Sequence, residues 1–142
     1  MKKIVSTSDA PAAIGPYSQA IRSGPLLFCA GQIPLDPRSG QMASDDISEQ
    51  AKRVLENISA ILRAANLNFG HVVKTTIFLT SMDDFQTVNE IYGSYFRENP
   101  PARSTVAVSA LPKGAKVEIE VIAMASDGGD ASGGKSVSDT SG

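Results

Sequence analysis

The hydrophobic positions change their period several times along the chain, and each change predicts a new element. Short extended runs come first, at residues 2–7, 17–22 and 25–30. A Pro- and Gly-containing loop at 10–16 separates the first two, and Ser23-Gly24 provides a turn before the third. We interpret these runs as a small antiparallel meander with residues 2–7 as an edge strand.

A helical period then follows. After the acidic start Ser44-Asp45-Asp46, apolar residues recur every three or four positions: Ile47, Ala51, Val54, Leu55, Ile58, Ile61, Leu62 and Ala65. This spacing predicts a long amphipathic helix that residues 66–70 terminate. A strand at 72–79 comes next, and a second apolar stripe predicts a second helix: Phe85, Val88, Ile91, Tyr92, Tyr95 and Phe96.

Two further strands are predicted at 101–108 and 116–122, with an LPKG turn at 111–114 between them. In the last strand, apolar residues at 117, 119 and 121 alternate with Glu118 and Glu120. We therefore expect a hairpin-like pair whose apolar faces, including Val106, point to one core. Arg103 and Glu118 would then share the opposite face of the sheet.

The element order is strands, helix, strand, helix, strands, which predicts an α+β domain with two helices packed on one face of a single sheet. The other face would lie in water or against another subunit. From residue 126 the chain is nearly all Gly, Ser and Asp. Such a segment buries too little apolar surface to offset its ordering entropy. We expect one domain at 1–125 and a flexible tail at 126–142.

Charge and composition exclude several classes of function. A net charge of −2 provides no basic field for nucleic acid or an anionic membrane, and no apolar run approaches membrane-spanning length. Residues 1–9 are too polar for a signal peptide. The one cysteine, Cys29, and the one histidine, His71, cannot form a His/Cys zinc site or an internal disulfide. We expect a cytoplasmic protein in which Cys29 is a core residue and His71 is structural.

Four side chains or backbone groups remain as candidates for chemistry. The guanidinium of Arg103 is a planar fork suited to a carboxylate, and Glu118 could move a proton or hold a water. The alternative is a plain surface ion pair between them. Gly31, at a strand end, exposes a backbone N–H to a ligand or simply makes a turn. Asn89 could point towards a ligand or only be solvated.

Six motifs in order resemble the reactive-intermediate deaminase (RidA/YjgF) family. They are AAIGPYSQA at 12–20, GQIP at 31–34, DF at 84–85 with VN at 88–89, PARS at 101–104, LPKG at 111–114 and VEIE at 117–120. The similarity runs from about residue 4 to residue 125. The combination of Arg103 with Glu118 resembles the deaminase-active branch of the family.

The resemblance implies a chorismate-mutase-like fold and a homotrimer with ligand clefts between subunits. The implied reaction is hydrolysis of enamines and imines, such as 2-aminoacrylate and 2-iminopropanoate, to 2-keto acids and ammonia. Such a 2-iminobutanoate/2-iminopropanoate deaminase needs no cofactor and no metal.

The resemblance also implies roles for individual residues. Arg103 would grip the substrate carboxylate and Glu118 would orient or activate water. Tyr17 would close the cleft and hydrogen-bond, the Gly31 N–H would aid carboxylate binding, and Asn89 would orient its neighbours. Two positions depart from many relatives: Ala30 stands where serine is common, and Thr105 where some have cysteine. No side-chain role carries over to those two.

Two other classes of function stay open. One is an endoribonuclease or translation inhibitor, although the chain has neither a basic groove nor a pair of histidines. The other is a non-catalytic trimer that binds small carboxylates or acts as a chaperone-like partner. That class would keep Arg103 and would not need Glu118.

Overall fold

A computed structural model describes residues 1–126 as one six-stranded sheet with two α-helices. The elements are β1 Lys2–Val5, β2 Ala20–Ser23, β3 Leu26–Gln32, α1 Ile47–Ala64, β4 Val72–Leu79, α2 Phe85–Tyr95, β5 Ala102–Ala107 and β6 Val117–Met124. The strand order across the sheet is β1-β2-β3-β6-β4-β5. The α+β fold with both helices on one face of a single sheet is confirmed. The predicted tail falls almost wholly at 127–142, outside the described residues.

The predicted meander is confirmed, with β1, β2 and β3 pairing antiparallel in sequence order and β1 at the edge. Gly24, at a φ of 57°, makes the turn between β2 and β3. The extended run predicted at 17–22 is shorter than expected, because regular pairing begins only at Ala20. Residues 17–19 instead belong to the loop that leads into the sheet.

Helix α1 begins and ends where its sequence signals indicate. The Asp46 carboxylate accepts a hydrogen bond from the Glu49 N–H at 3.0 Å. At the other end Asn66 adopts a φ of 61°, and the Leu67 N–H donates to the Leu62 carbonyl at 2.8 Å. The apolar stripe from Ala51 to Leu62 is buried against the sheet. This face of α1 supplies more residues to the hydrophobic core than any other single element.

Two buried polar side chains of α1 hold loops in place beside the sheet. The Asn57 amide donates to the carbonyls of Ile33 and Leu35, at 3.3 and 3.0 Å. The Gln50 amide oxygen accepts from the Lys116 N–H at 2.9 Å. Because an unpaired buried amide is costly, these contacts fix the backbone just after β3 and just before β6.

The predicted hairpin between the last two strands is wrong. Strand β6 lies between β3 and β4, whereas β5 is at the edge of the sheet and pairs with β4 in parallel. Parallel pairing needs a crossover, and α2 provides it between β4 and β5. The segment after β5 then passes the end of β4, where the Val108 N–H donates to the Leu79 carbonyl at 2.8 Å. The LPKG turn therefore spans β4 instead of closing a two-stranded hairpin.

The sheet has one face under the helices and one face without a covering element among residues 1–126. The second, which we call the open face, carries alternate residues of every strand. It exposes Ile4, Phe28, Val106 and Met124, each by 41% or more of its surface. The expectation that Val106 points to the core is therefore also wrong. Neither helix is long and apolar enough to cross a bilayer within the part of the chain that is described.

Candidate active site

Arg103 lies on the helix face of β5 and not on the open face, which corrects the predicted common face with Glu118. Its Nη1 donates to the Asn89 side-chain oxygen at 2.7 Å. Its guanidinium carbon is 5.6 Å from the centre of the Phe85 ring and 5.0 Å from that of Tyr92. All three neighbours belong to α2. Asn89, expected to orient its neighbours, thus contacts Arg103, and its part in ligand binding stays a prediction.

The Tyr92 ring beneath Arg103 is fixed by a buried hydrogen bond. Its hydroxyl lies 2.7 Å from Thr75 Oγ1, and the two residues are 4% and 0% exposed. Thr75 on β4 is also the register partner of Arg103 on β5. Burial raises the pKa of Tyr92, against the opposing effects of the Thr75 hydrogen bond and the Arg103 charge. The Tyr92 hydroxyl therefore stays neutral, and either hydroxyl can be the donor in the hydrogen bond between Tyr92 and Thr75.

Glu118 faces the other way, into a mostly apolar cavity of about 580 Å³ on the opposite side of the sheet. Tyr17 and Gly31 line the same cavity, together with Ala30 and the apolar side chains of Pro11, Ile14, Ile33, Leu35 and Pro112. Val117 and Ile119 are buried under the helices, so alternation in β6 sends Glu118 to the open face. The structure thus brings together Tyr17, Gly31 and Glu118, and separately Asn89 and Arg103.

The backbone of Gly31 lies against the Glu118 side chain. The pairing of β3 with β6 is irregular between Cys29 and Gln32, which places Gly31 in a bulge. A Cβ on Gly31 would collide with Glu118 Oε2 and would come within 2.8 Å of Cδ. Only glycine lets this carboxylate lie against the backbone. The predicted approach of the Gly31 N–H to a ligand stays a prediction.

The environment of Glu118 raises its pKa above the ordinary value of a glutamate. Burial of the carboxylate is the main cause, and the negative charge of Glu120, two residues along the same face, adds to it. A carboxylate that is desolvated beside a like charge accepts protons more readily than one in water. Such a group is suited to take a proton from a bound water near neutral pH.

Tyr17 is carried by a loop that one buried side chain holds. The Gln19 amide nitrogen donates to the carbonyls of Thr7, Ala10 and Pro11, at 3.0, 3.3 and 2.7 Å. Its oxygen accepts from the Thr7 N–H at 2.7 Å. Within this loop the Ile14 N–H donates to the Tyr17 hydroxyl at 3.4 Å. Tyr17 is 54% exposed at the cavity.

Sequence reasoning did not find the support around these residues. Phe85 and Tyr92 were assigned only to the apolar stripe of a helix, and Gln19 and Thr75 received no role. The spacing of Phe85, Tyr92 and Thr75 indicates core packing and nothing more. Whether these residues lie near Arg103 depends on which side of β4 strand β5 pairs. The one hint in the sequence is a Gln three residues after the Pro-containing loop, since its amide needs several backbone partners if it is buried.

The two departures at Ala30 and Thr105 fall on different sides of the sheet. Ala30 adds a methyl group to the Glu118 cavity, next to the Gly31 bulge. Thr105 Oγ1 is buried and finds no hydrogen-bond partner within residues 1–126. Across the same residues, no three His, Cys, Asp or Glu side chains come together as a metal site would require.

Comparison with known proteins defines the class. Residues 7–125 match the sequence profile of the family described as Endoribonuclease L-PSP, and the chain belongs to this family, which is the RidA/YjgF family. It is 54% identical to Protein DfrA of Myxococcus xanthus over 125 residues, covering 87% of this chain and 95% of that protein. It is 51% identical to the 2-iminobutanoate/2-iminopropanoate deaminase of Mus musculus over 124 residues, covering 87% and 92%.

A solved structure agrees in fold. The crystal structure of E. coli TdcF with bound serine superposes with a TM-score of 0.84 at 46% identity, covering 87% of this chain and 99% of that one. The predicted family resemblance is confirmed by these matches. The names within the family differ, so membership alone does not identify the reaction of this chain.

Proposed function

We propose that this protein hydrolyses reactive 2-imino acids, of the 2-iminopropanoate and 2-iminobutanoate type, to 2-keto acids and ammonia. The observation that carries the proposal is Glu118, a half-buried carboxylate with a raised pKa in a cavity shared with Tyr17 and Gly31. The deaminase name of the mouse relative supports the same reaction. Arg103, held by α2, supplies the cation for the substrate carboxylate.

The active form we propose is a homotrimer with three clefts between subunits. Within one chain Arg103 faces α2 while Glu118 faces the open side of the sheet, so one copy does not present both to one small molecule. Packing of the open face against a second copy would bury Phe28, Val106 and Met124. It would also bring the β5 edge of one subunit next to the Glu118 cavity of its neighbour.

The chemistry follows from the two sides of such a cleft. Arg103 binds the carboxylate through two parallel hydrogen bonds. The electrophilic carbon of the N-protonated imine is then held beside Glu118. Glu118 takes a proton from water as the water oxygen attacks that carbon, which gives a carbinolamine. Glu118 gives that proton to the amine nitrogen. The C–N bond then breaks as the hydroxyl oxygen forms the carbonyl and passes its proton back to Glu118, so that ammonia leaves, takes up this proton as ammonium, and the keto acid remains. No redox step is involved, so the reaction balances with water alone.

The proposed setting is the cytoplasm, where imines form by dehydration of hydroxy-amino acids. The one cysteine, which leaves no internal disulfide possible, suits a reducing compartment, and burial raises the pKa of its thiol to about 12. The proposed partners are the imino acid and two further copies of the chain. Neither nucleic acid nor membrane is part of the proposal.

A coupled assay tests the function. A serine or threonine dehydratase generates the enamine and imine in place, and the protein is added in increasing amounts. We expect faster release of ammonia and keto acid than spontaneous hydrolysis provides, and no increase with Glu118→Gln. Equal rates with and without the protein would contradict a deaminase. Intact carboxylate binding alongside equal rates would indicate a non-catalytic binding module, and RNA cleavage would indicate the ribonuclease alternative.

A further inference from the structure

Three residues on one stripe of α2 contact a single guanidinium. Phe85, Asn89 and Tyr92 are spaced four and three residues apart, so they lie on one side of the helix. Each of them contacts Arg103, two through ring faces and one through a 2.7 Å hydrogen bond. We call Phe85 and Tyr92, with Thr75 beneath them, the aromatic cradle.

The cradle has more support than packing alone requires. The Tyr92 ring packs against Phe96 with 4.5 Å between ring centres, and its hydroxyl is bound to Thr75. Both ring centres lie within the distance at which a cation is attracted to an aromatic face. Arg103 itself is exposed, and a long exposed side chain otherwise loses considerable rotamer entropy on binding a ligand.

We propose that Phe85 and Tyr92 are positioning residues, which hold the Arg103 guanidinium in one orientation before substrate arrives. This inference rests on the proposed function, because it presumes that Arg103 binds the substrate carboxylate. Asn89 occupies one N–H of Nη1, and among residues 1–126 the Nε and Nη2 hydrogens, which form a parallel pair, have no acceptor. A preordered fork loses less entropy per hydrogen bond formed, so the cradle increases carboxylate affinity without touching the substrate.

Phe85→Leu is the most direct test, because Phe85 is only half buried and leucine keeps an apolar side chain there. Two readouts are needed. Side-chain NMR of the Arg103 Nε–H in the ligand-free protein, assigned by its loss in Arg103→Ala, measures how ordered the guanidinium is. Calorimetric titration with 2-oxobutanoate measures carboxylate affinity. Phe85→Tyr keeps the ring and serves as the conservative variant.

We expect Phe85→Leu to lower the Arg103 order parameter and to weaken 2-oxobutanoate binding about two- to fivefold, the range of a partly exposed cation–π contact. Phe85→Tyr restores both. Tyr95→Leu is the matched control, since Tyr95 is a half-buried aromatic residue of α2 that packs on Phe69. That control lowers the melting temperature and leaves the order and affinity of Arg103 unchanged. If Phe85→Leu does not fold, Phe85→Met replaces it.

Several outcomes would overturn the inference. An unchanged Arg103 order parameter in Phe85→Leu would show that the ring does not hold the guanidinium. A lower order parameter with unchanged affinity would show that its orientation does not matter for binding. Failure of the proposed function gives a different result, because Arg103→Ala would then leave the affinity for 2-oxobutanoate unchanged. If only the cradle inference fails, Arg103→Ala weakens 2-oxobutanoate binding and Phe85→Leu does not.

Discussion

Glu118 and Glu120 lie two residues apart on the open face of β6, and their mutual repulsion bears on the proton chemistry. A base must be deprotonated to act, so the rate falls as pH drops through the pKa of Glu118. Burial and the charge of Glu120 both raise that pKa, which moves the acid limb of the pH–rate profile to higher pH. The acid limb should therefore lie above that of an ordinary glutamate.

Removing the like charge tests this assignment. In Glu120→Gln the pKa of Glu118 falls, so we expect kcat/KM to persist to lower pH than in the wild type. Glu118→Gln should remove the acid limb along with most of the activity, and it should still bind 2-keto acids. Glu49→Gln, on α1 at the opposite face, is the control and should leave the profile unchanged. An acid limb that stays in place in Glu120→Gln would contradict the role of Glu118 as the base.

Arg103 supplies a second prediction at the same scale. Hydrogen bonds to charged groups are worth roughly 1.5–3 kcal/mol each, so losing two should weaken keto-acid binding by about two to four powers of ten. Arg103→Lys keeps the charge without the fork, and we expect an affinity between wild type and Arg103→Ala. Calorimetric titration with 2-oxobutanoate checks the order. Arg63→Ala is the control, because the Arg63 guanidinium lies on α1, where it donates to Ser59 Oγ. Unchanged affinity in Arg103→Ala would refute the carboxylate clamp.

The elements differ in how far their placement follows from sequence. Both helices and the first three strands were predicted because their signals are local: caps, a 3.6-residue period, and turns between neighbours. Strand β5 was misplaced because its partner is chosen over a distance, and β4 comes between β5 and β6. The local pattern Arg103-Ser104-Thr105 is polar on both faces, so alternation could not reveal which side faces the helices.

The candidate site also combines features that the local sequence predicts with features that depend on distant strand pairing. The identities of Arg103, Glu118, Tyr17 and Gly31 were predicted, because their chemistry and motifs are visible in sequence. Their distribution over two faces of the sheet was not, since it depends on non-local pairing. The cradle was hidden for another reason: an aromatic stripe at helical spacing indicates core packing equally well.

The loop before β2 depends on Gln19, which gives a prediction at the scale of the element. Gln19→Glu keeps the size of the side chain but loses the N–H donors for the carbonyls of Thr7, Ala10 and Pro11. We expect the free energy of unfolding to fall by about 1–3 kcal/mol, and residues 7–16 to become more sensitive to protease. Urea denaturation and limited proteolysis measure both. Gln86→Glu, at an exposed position of α2, is the control and should change neither the free energy of unfolding nor the protease sensitivity. If Gln19→Glu also changes neither property, the Gln19 amide does not hold the loop in place.

At the scale of the whole molecule, the division between domain and tail remains a prediction from composition. Deleting residues 126–142 should change the melting temperature little and leave the oligomer intact, because those residues offer almost no apolar surface to bury. Scanning calorimetry together with light scattering measures both properties. A large loss of stability, or dissociation to monomers, would show that this segment packs on the domain.

The open face links the assembly to the activity. It exposes Phe28, Val106 and Met124 across three strands, an apolar surface that a second copy would bury. In the proposed trimer this packing would also set the β5 edge of one copy, which carries Arg103, beside Glu118 of the next. The central claim is therefore that each active cleft takes its two essential charges from different subunits.

Mixing two inactive variants tests that claim most directly. Arg103→Ala and Glu118→Gln subunits are co-expressed with different tags, and trimers that carry both tags are purified. Around any mixed ring one cleft pairs an intact Arg103 with an intact Glu118, so we predict about one third of wild-type imine hydrolysis. Each variant alone should be nearly inactive. Mixed trimers no more active than the variants alone would show that both charges act within one subunit, which would contradict the composite cleft.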